Sequence, residues 1–461
     1  MGSERKNPAV AGQIQPSLVW RSAMQTKVRF YDEKFPKSVN FILNILIILT
    51  GVTIQTQAFS FRYIFLISAA VFVLITIVML ILSSQMSAVI SKEKILSAFM
   101  IYIFIVVTVK QIMALTENGI SLSLVSGYGN VIYISFALFL MSVYSDSRKK
   151  MFFCSYITSF TGIFVFTGFN TLYDFGNVCR TISVFSNPNI LAVYASVSLF
   201  ASLIMIKVIK KPYRFIFVFT AAAAAAAVVN SSCRAIIFGL LISAGAAAVL
   251  FVLKEKRAPK ISKESVIVWA CVLILSMVLI QVYFPVPENA VIDYVNEGPY
   301  IVSDDDDVKT ISGADRILNN DQIRDPASYK ENLRFVIWKG YAEKINDYFW
   351  FGTSSAGKER LYIDALDVEY APHNILVYTF YEYGIFGFIL FCLLLIRVCC
   401  MIIRMKSLSR TWILTLICLG TLVLFGLLHD AVNKSMFWIV VTAFLFVREP
   451  KNSHNLQSSE I

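Results

Sequence analysis

The feature that most constrains this chain is a succession of apolar runs, each about the length that crosses the hydrocarbon core of a bilayer. A transmembrane helix needs about 20 mainly apolar residues. Runs of that kind fall near 40–58, 61–82, 95–115, 124–144, 151–169 and 188–208. More follow near 213–229, 234–253, 265–284, 374–403, 411–428 and 431–447. With 57% hydrophobic and only 15% charged residues over 461 positions, the chain lacks the polar surface that water demands; soluble domains carry about 25% charge. The expected fold class is all-α integral membrane, with about 12 transmembrane helices and one large extracytoplasmic loop containing short helices. The connecting turns of the pairs 213–229/234–253 and 411–428/431–447 are very short. Were either pair a single broken helix, every later loop would change sides.

A net charge of +11 suggests nucleic acid at first, but its distribution argues otherwise. The basic residues form short clusters between apolar runs, as in loops that face the cytoplasm. Lys207, Lys210, Lys211 and Arg214 make one such cluster; Lys254, Lys256, Arg257, Lys260 and Lys263 make another. With the N-terminus inside, the inner segments hold 27 of the 41 basic residues. Nine of the other 14 lie in one long loop, whose charge does not count towards orientation. The expected layout is a cytoplasmic tail at 1–39, spans 1–9 over 40–284, an extracytoplasmic loop over 285–373, spans 10–12 over 374–447 and a cytoplasmic tail at 448–461. The polar, basic N-terminal segment precedes a run long enough to span, so it reads as a tail rather than a cleavable signal. Of eight cysteines, Cys154, Cys271, Cys392, Cys399, Cys400 and Cys418 lie in or beside apolar runs, where a thiol behaves as a small hydrophobe. Only Cys179 and Cys233 fall near the expected outer face, and no disulfide is expected between them.

The long loop is too extended and too patterned for a mere connector. Its first half reads as acidic and irregular, with Asp304, Asp305, Asp306 and Asp307 in a row as a solvated tip. In its second half Leu333, Val336, Ile337, Tyr341 and Ile345 recur at spacings of three and four, the stripe of an amphipathic helix lying against the membrane domain. Trp338, Tyr341, Tyr348, Trp350 and Tyr362 suit sugar stacking, an interfacial belt or a small core of the loop itself. The alanine run 221–227 reads as close helix packing.

Ionisable residues near membrane depth are functional candidates because their burial is costly. Here they gather towards one side. Arg180 precedes Phe185-Ser186-Asn187-Pro188-Asn189, which opens the sixth run. Arg234 follows Asn230-Ser231-Ser232-Cys233 in a short turn, Arg334 lies on the loop helix, and His373 and Asn374 stand where the loop re-enters the membrane. Guanidinium groups suit phosphate oxygens through paired, charge-assisted hydrogen bonds. A histidine can take a proton from a hydroxyl near neutral pH. The plainer readings are headgroup anchoring for Arg180 and Arg234, pairing with Glu331 for Arg334, and a helix-start role for His373. His429 with Asp430 reads first as a structural cap.

The order of these features resembles the O-antigen ligase and polymerase family over about residues 170–400. The resemblance rests on Asn187-Pro188-Asn189 after Arg180, on Ser231-Ser232-Cys233-Arg234, and on Arg334 with Trp338. Phe351-Gly352 with Gly357, His373-Asn374 and the run Glu382-Tyr383-Gly384-Ile385-Phe386-Gly387 complete it. The cysteine directly before Arg234 departs from the serine more usual there.

The resemblance implies an inverting membrane glycosyltransferase of the bacterial plasma (inner) membrane, with its active site facing outside. Its donor would be a glycan on a polyprenyl (undecaprenyl) diphosphate, its acceptor a sugar hydroxyl on a lipid or repeat unit, as in lipopolysaccharide or capsule assembly. Arg180, Arg234, Arg334, Asn189 and Asn374 would hold the diphosphate, His373 would be the base, and Arg234 and Arg334 would steady the leaving group. No cofactor or metal is implied, and no nucleic-acid partner; membrane lipids surround the chain. Ligase is favoured over polymerase. The rival class is a transporter or flippase of lipid-linked sugars, which tends to show two related halves; this chain shows none.

Overall fold

The computed structural model describes residues 31–55, 62–118, 128–167, 172–174, 179–181, 188–231, 233–255, 263–282, 300–304, 307–311, 333–353, 361–364, 368–404, 409–429 and 435–446. Among the described residues are fourteen α-helices. They are α1 (Lys37–Thr53), α2 (Arg62–Leu82), α3 (Met86–Lys92), α4 (Lys94–Asn118), α5 (Gly129–Ser142), α6 (Asp146–Thr167) and α7 (Pro188–Val208). Then come α8 (Arg214–Asn230), α9 (Arg234–Glu255), α10 (Lys263–Val282), α11 (Leu333–Glu343), α12 (Ile375–Arg404), α13 (Arg410–Leu428) and α14 (Ser435–Phe446). Three two-stranded antiparallel hairpins complete the fold: β1 (Leu172–Asp174) with β2 (Cys179–Thr181), β3 (Tyr300–Asp304) with β4 (Asp307–Ile311), and β5 (Leu361–Ile363) with β6 (Val368–Tyr370).

Each of the twelve apolar runs coincides with a helix, and α3 and α11 are additional. Six of the described helices, α2, α4, α7, α9, α12 and α13, are long and apolar enough to cross a membrane. Helices α1, α5, α8, α10 and α14 are apolar but shorter, and α6 opens on the charged Asp146-Ser147-Arg148-Lys149-Lys150. The β3–β4 hairpin corrects the reading of the loop's first half as irregular. Asp304 pairs with Asp307 across its end, and β-branched Ile301, Val302, Val308, Thr310 and Ile311 on either side favour strand.

The bundle is inside-out by the standards of a soluble domain. Leu74, Ile101, Leu241, Leu253, Ile267 and Leu273 are among many large apolar side chains left exposed, a surface that only lipid covers without penalty. Helices α5 and α14 are buried almost all round. Trp438 of α14 is fully enclosed, packing on Phe99 of α4 and Phe391 of α12. The alanine run of α8 is buried at Ala221–Ala224, Ala226 and Ala227, so small side chains let neighbouring helices close in. Polar bonds add to the packing: Thr76 with Tyr144 at 2.6 Å, and Ser202 with Thr220 at 2.9 Å. An interhelical bond such as that of Ser202 with Thr220 contributes roughly 0.6–2 kcal/mol.

Basic side chains brace the end of the bundle where α4 and α6 begin and α9 and α12 finish. Lys254 Nζ donates to the carbonyls of Ile402 and Ile403 at 2.8 and 2.9 Å, and Lys92 Nζ donates to the Ser142 carbonyl at 2.7 Å. These are last-turn carbonyls with no partner inside their own helix, and the helix dipole favours a cation there. Arg397 grips Glu93 with two N–H···O contacts of 3.1 and 3.4 Å.

At the opposite end, α12 differs from the single continuous span expected over 374–403. Gly384 sits at φ 66°, ψ −170°, breaking the helix. Residues 385–404 then measure about 30 Å at 1.5 Å per residue, the thickness of the hydrocarbon core. The first turns instead join a second small core, in which Tyr381, Val377 and Phe380 pack with Ile337, Tyr341, Tyr348 and Ile363. Tyr341 and Tyr348 are thus core residues of the loop, whereas Trp350 and Tyr362 are exposed. Burial, followed by the neighbouring Tyr381 and Asp347, lifts the Tyr348 hydroxyl well above the ordinary phenol range, so it remains a donor, here to the Tyr341 carbonyl.

The segment 348–353 docks directly on the break. Ile385 N–H donates to the Phe349 carbonyl at 2.7 Å, and Thr353 N–H donates to the Tyr381 carbonyl at 2.8 Å. The approach is closed by two glycines in the left-handed region, Gly352 (φ 71°) and Gly384. A Cβ on Gly352 would collide with the Glu382 carbonyl, and one on Gly384 with the Trp350 carbonyl. Gly384→Ala is expected to cost roughly 1–3 kcal/mol from backbone strain, with the collision in addition. The check is a lower melting midpoint in detergent, with new proteolytic cleavage between 344 and 353; a midpoint equal to that of the wild type would show that the docked segment tolerates a side chain.

Candidate functional site

Hydrogen bonds between helix ends bring the candidate residues to one end of the bundle. Asn374 caps α12: its Oδ1 accepts from the amides of Leu376 and Val377 at 2.9 and 3.2 Å. Its Nδ2 donates to the Leu427 carbonyl at 3.0 Å, fixing the C-terminus of α13 beside the N-terminus of α12. The next helix, α14, starts at Ser435, which bonds to the Tyr194 hydroxyl of α7. The first turn of α7, with the half-buried Asn189, therefore lies at this same end. Helix α8 runs antiparallel to α7, so its C-terminus and the turn leading to Arg234 finish here too.

Arg234 is the first residue of α9 and is exposed. The turn before it is held by Ser231, whose hydroxyl donates to the Val228 carbonyl at 2.7 Å and accepts from the Cys233 amide at 3.4 Å. Cys233 is a buried thiol. A cation at a helix N-terminus opposes the helix dipole, at roughly 0.3–1 kcal/mol. What the position offers is positive potential from a guanidinium and a helix N-terminus together, a setting suited to an anion.

Arg334 is half-buried on α11, one turn before Trp338, so both share a face of that helix. Trp338 Nε1–H donates to the Pro372 carbonyl at 2.8 Å. The helix that bears Arg334 is therefore tied to the residue preceding His373. His373 itself adopts φ 47°, one of two left-handed non-glycine residues among those described. Such a backbone costs of order 1–3 kcal/mol and persists where its surroundings fix it. Here the fixing is visible: Pro372 is held by Trp338 on one side and Asn374 by α13 on the other.

Arg180 lies on β2, opposite Tyr173 of β1, and β2 packs against α8. Its side chain, like Asp430, lies outside the described residues. Of the six sequence candidates, Arg234, Asn189, His373 and Asn374 meet at one end, Arg334 is tethered there, and Arg180 is placed by its strand. Asn374 has a structural duty that its polar character alone did not disclose.

Two juxtapositions escaped the sequence reading, although it had named Glu382 and His429 themselves. Glu382 is 2% exposed in the stretch of α12 just before the break, and Lys110 of α4 is its electrostatic neighbour; the signal was an acidic residue inside an apolar run. The second is His429, whose ring centroid lies 5.9 Å from that of His373. Fifty-odd residues of sequence separate the two, and no spacing rule joins them.

A bundle of apolar helices with cationic and imidazole side chains gathered at one end defines a multi-pass membrane protein with a polar site at a membrane surface. Residues 216–392 match the family model described as O-antigen ligase. The family resemblance is thereby borne out over that stretch, which includes Arg234, Arg334, His373 and the break at Gly384. No curated protein and no solved structure matches the chain.

The cap geometry has a measurable consequence. Asn374→Ala should lower stability by about 0.5–2 kcal/mol, the usual worth of an N-cap. Asn374→Asp, which keeps the acceptor but not the bond to Leu427, should fall between that variant and the wild type in melting midpoint.

Proposed function

We propose that this protein transfers a glycan from a polyprenyl diphosphate carrier to a sugar hydroxyl, with inversion at the anomeric carbon, and that it acts as a ligase rather than a polymerase. The observation that carries this reading is the placement of Arg234 and the tethered Arg334 helix at the end where His373 is locked. On this reading that end faces outside and the lysine-braced end faces the cytoplasm, in keeping with the distribution of basic residues. The carrier's hydrocarbon tail lies along the lipid-facing helices, and its diphosphate sits at the membrane surface against Arg180, Arg234 and Arg334, beside Asn189.

The step is a single displacement. The acceptor oxygen forms a bond to the anomeric carbon as the bond from that carbon to the diphosphate oxygen breaks. Its electron pair leaves with the polyprenyl diphosphate, and the hydroxyl proton passes to His373. Charge grows on the leaving oxygens, so guanidiniums fixed before reaction stabilise the transition state more than the ground state. The amides at the start of α9 act in the same sense. The ligase assignment rests on the layout, a large loop between the ninth and tenth apolar runs.

The test is a purified preparation supplied with a lipid-diphosphate-linked oligosaccharide, and with acceptors offered separately. His373→Ala should abolish transfer while leaving the melting midpoint in place. Arg234→Ala and Arg334→Ala should each lower kcat by roughly 10²-fold, with Arg→Lys intermediate because a point charge replaces a fork. Product on a separate acceptor alone supports the ligase; a ladder from the donor alone shows a polymerase. Donor moved across vesicles with no transfer to any acceptor would sink the enzyme reading.

A further inference from the structure

Among the described residues, His429 is the one imidazole at the site that the displacement above does not use. It stands directly after α13 and stacks on Phe425 of the same helix, with centroids 4.6 Å apart and planes inclined by 19°. Its ring meets that of His373 edge to face, at 5.9 Å and 78°. Both distance and angle fall in the range that aromatic pairs prefer. Two residues earlier, the Leu427 carbonyl receives the Asn374 side-chain amide. The end of α13 therefore touches both residues of the His373-Asn374 pair, one by hydrogen bond and the other by ring contact.

The bonds already described fix the backbone of His373 but leave its side-chain torsions undetermined. Flanking contacts at Pro372 and Asn374 set where the Cα stands. A half-buried imidazole on a rigid backbone still rotates about χ1 and χ2 unless something packs against the ring. A general base must present one nitrogen within hydrogen-bonding reach of the acceptor hydroxyl, and a misplacement of about 1 Å can cost on the order of 10²-fold in rate. His429 packs against the His373 ring, and Phe425 in turn holds His429. We infer that His429 is a positioning residue: the Phe425–His429 stack forms a wall that sets the rotamer of His373. The inference rests on the reading of His373 as the base. The property it uses is the flat ring of His429, so a phenyl ring should serve in its place.

The experiment compares wild type, His429→Ala, His429→Phe and His373→Ala as purified full-length proteins, assayed with lipid-diphosphate-linked oligosaccharide over a range of donor and acceptor concentrations. Melting midpoints are measured alongside. For His429→Ala we expect kcat to fall about tenfold or more, with the donor KM within about twofold of wild type, because the diphosphate contacts are untouched. His429→Phe should keep kcat within about threefold of wild type. A lost helix contact alone would lower the melting midpoint without this split between kcat and KM. Wild-type kcat in His429→Ala overturns the inference. So does loss of activity in His429→Phe, which would show that a ring nitrogen of His429, not its shape, matters. If His429→Ala fails to fold, His429→Phe decides by the same criterion. An active His373→Ala would remove the reading on which the inference rests, whereas an inactive His373→Ala beside an unimpaired His429→Ala would refute the positioning role alone.

Discussion

The architecture depends on one backbone contact, the seating of residues 348–353 on the break in α12. A helix interrupted near a membrane surface exposes amides and carbonyls that neither lipid nor the helix can satisfy. Here three of the freed groups find partners outside the helix. The Ile385 amide goes to Phe349, the Tyr381 carbonyl accepts from Thr353, and the Tyr383 carbonyl accepts from the Tyr102 hydroxyl at 2.8 Å. The break is stable because a second piece of chain supplies what the helix gave up. Gly352 and Gly384 make it possible by removing the only atoms that would stand between the two backbones.

From that seat the rest of the site follows. The docked segment carries Tyr348 into the small core, the core orients α11, and α11 holds Pro372 through Trp338. Lys344, just beyond α11, bonds to the Tyr362 carbonyl and to Asp364 at 2.9 and 3.0 Å, clasping β5 to the same unit. The arginine on α11 and the histidine before α12 are thus parts of one small folded body resting on the bundle. The lipid-facing helices place Arg234 independently, through the short turn after α8. Two separately supported groups of side chains lie at the end of the bundle where the chemistry is proposed to occur.

Much of this was legible in the sequence because membranes simplify the problem. Run length located every long helix, and the spacing of Ile337 and Tyr341 announced α11. The match over residues 216–392 covers motifs that were visible as residues before their geometry was known. The break at Gly384 was not legible. In a 30-residue apolar run one glycine reads as tolerated, and its left-handed backbone is imposed by a partner segment more than thirty residues away. The β3–β4 hairpin was missed because four aspartates drew the eye from the strand-forming residues around them. The meeting of His373 with His429, and of Trp338 with Pro372, is tertiary in origin and leaves no local periodicity.

The lysines and arginine at the far end of the bundle have a consequence for how such a chain is built. During insertion, positive charges retained on one side of the membrane decide which way each segment faces. In the finished protein Lys92 and Lys254 are bound to the terminal carbonyls of other helices, and Arg397 is bound to Glu93. On the proposed orientation the topogenic signal doubles as masonry: the charges that would orient the segments are also the mortar between them. A segment threaded the wrong way round would carry its fastener to the wrong face, so misinsertion and misassembly are one error rather than two.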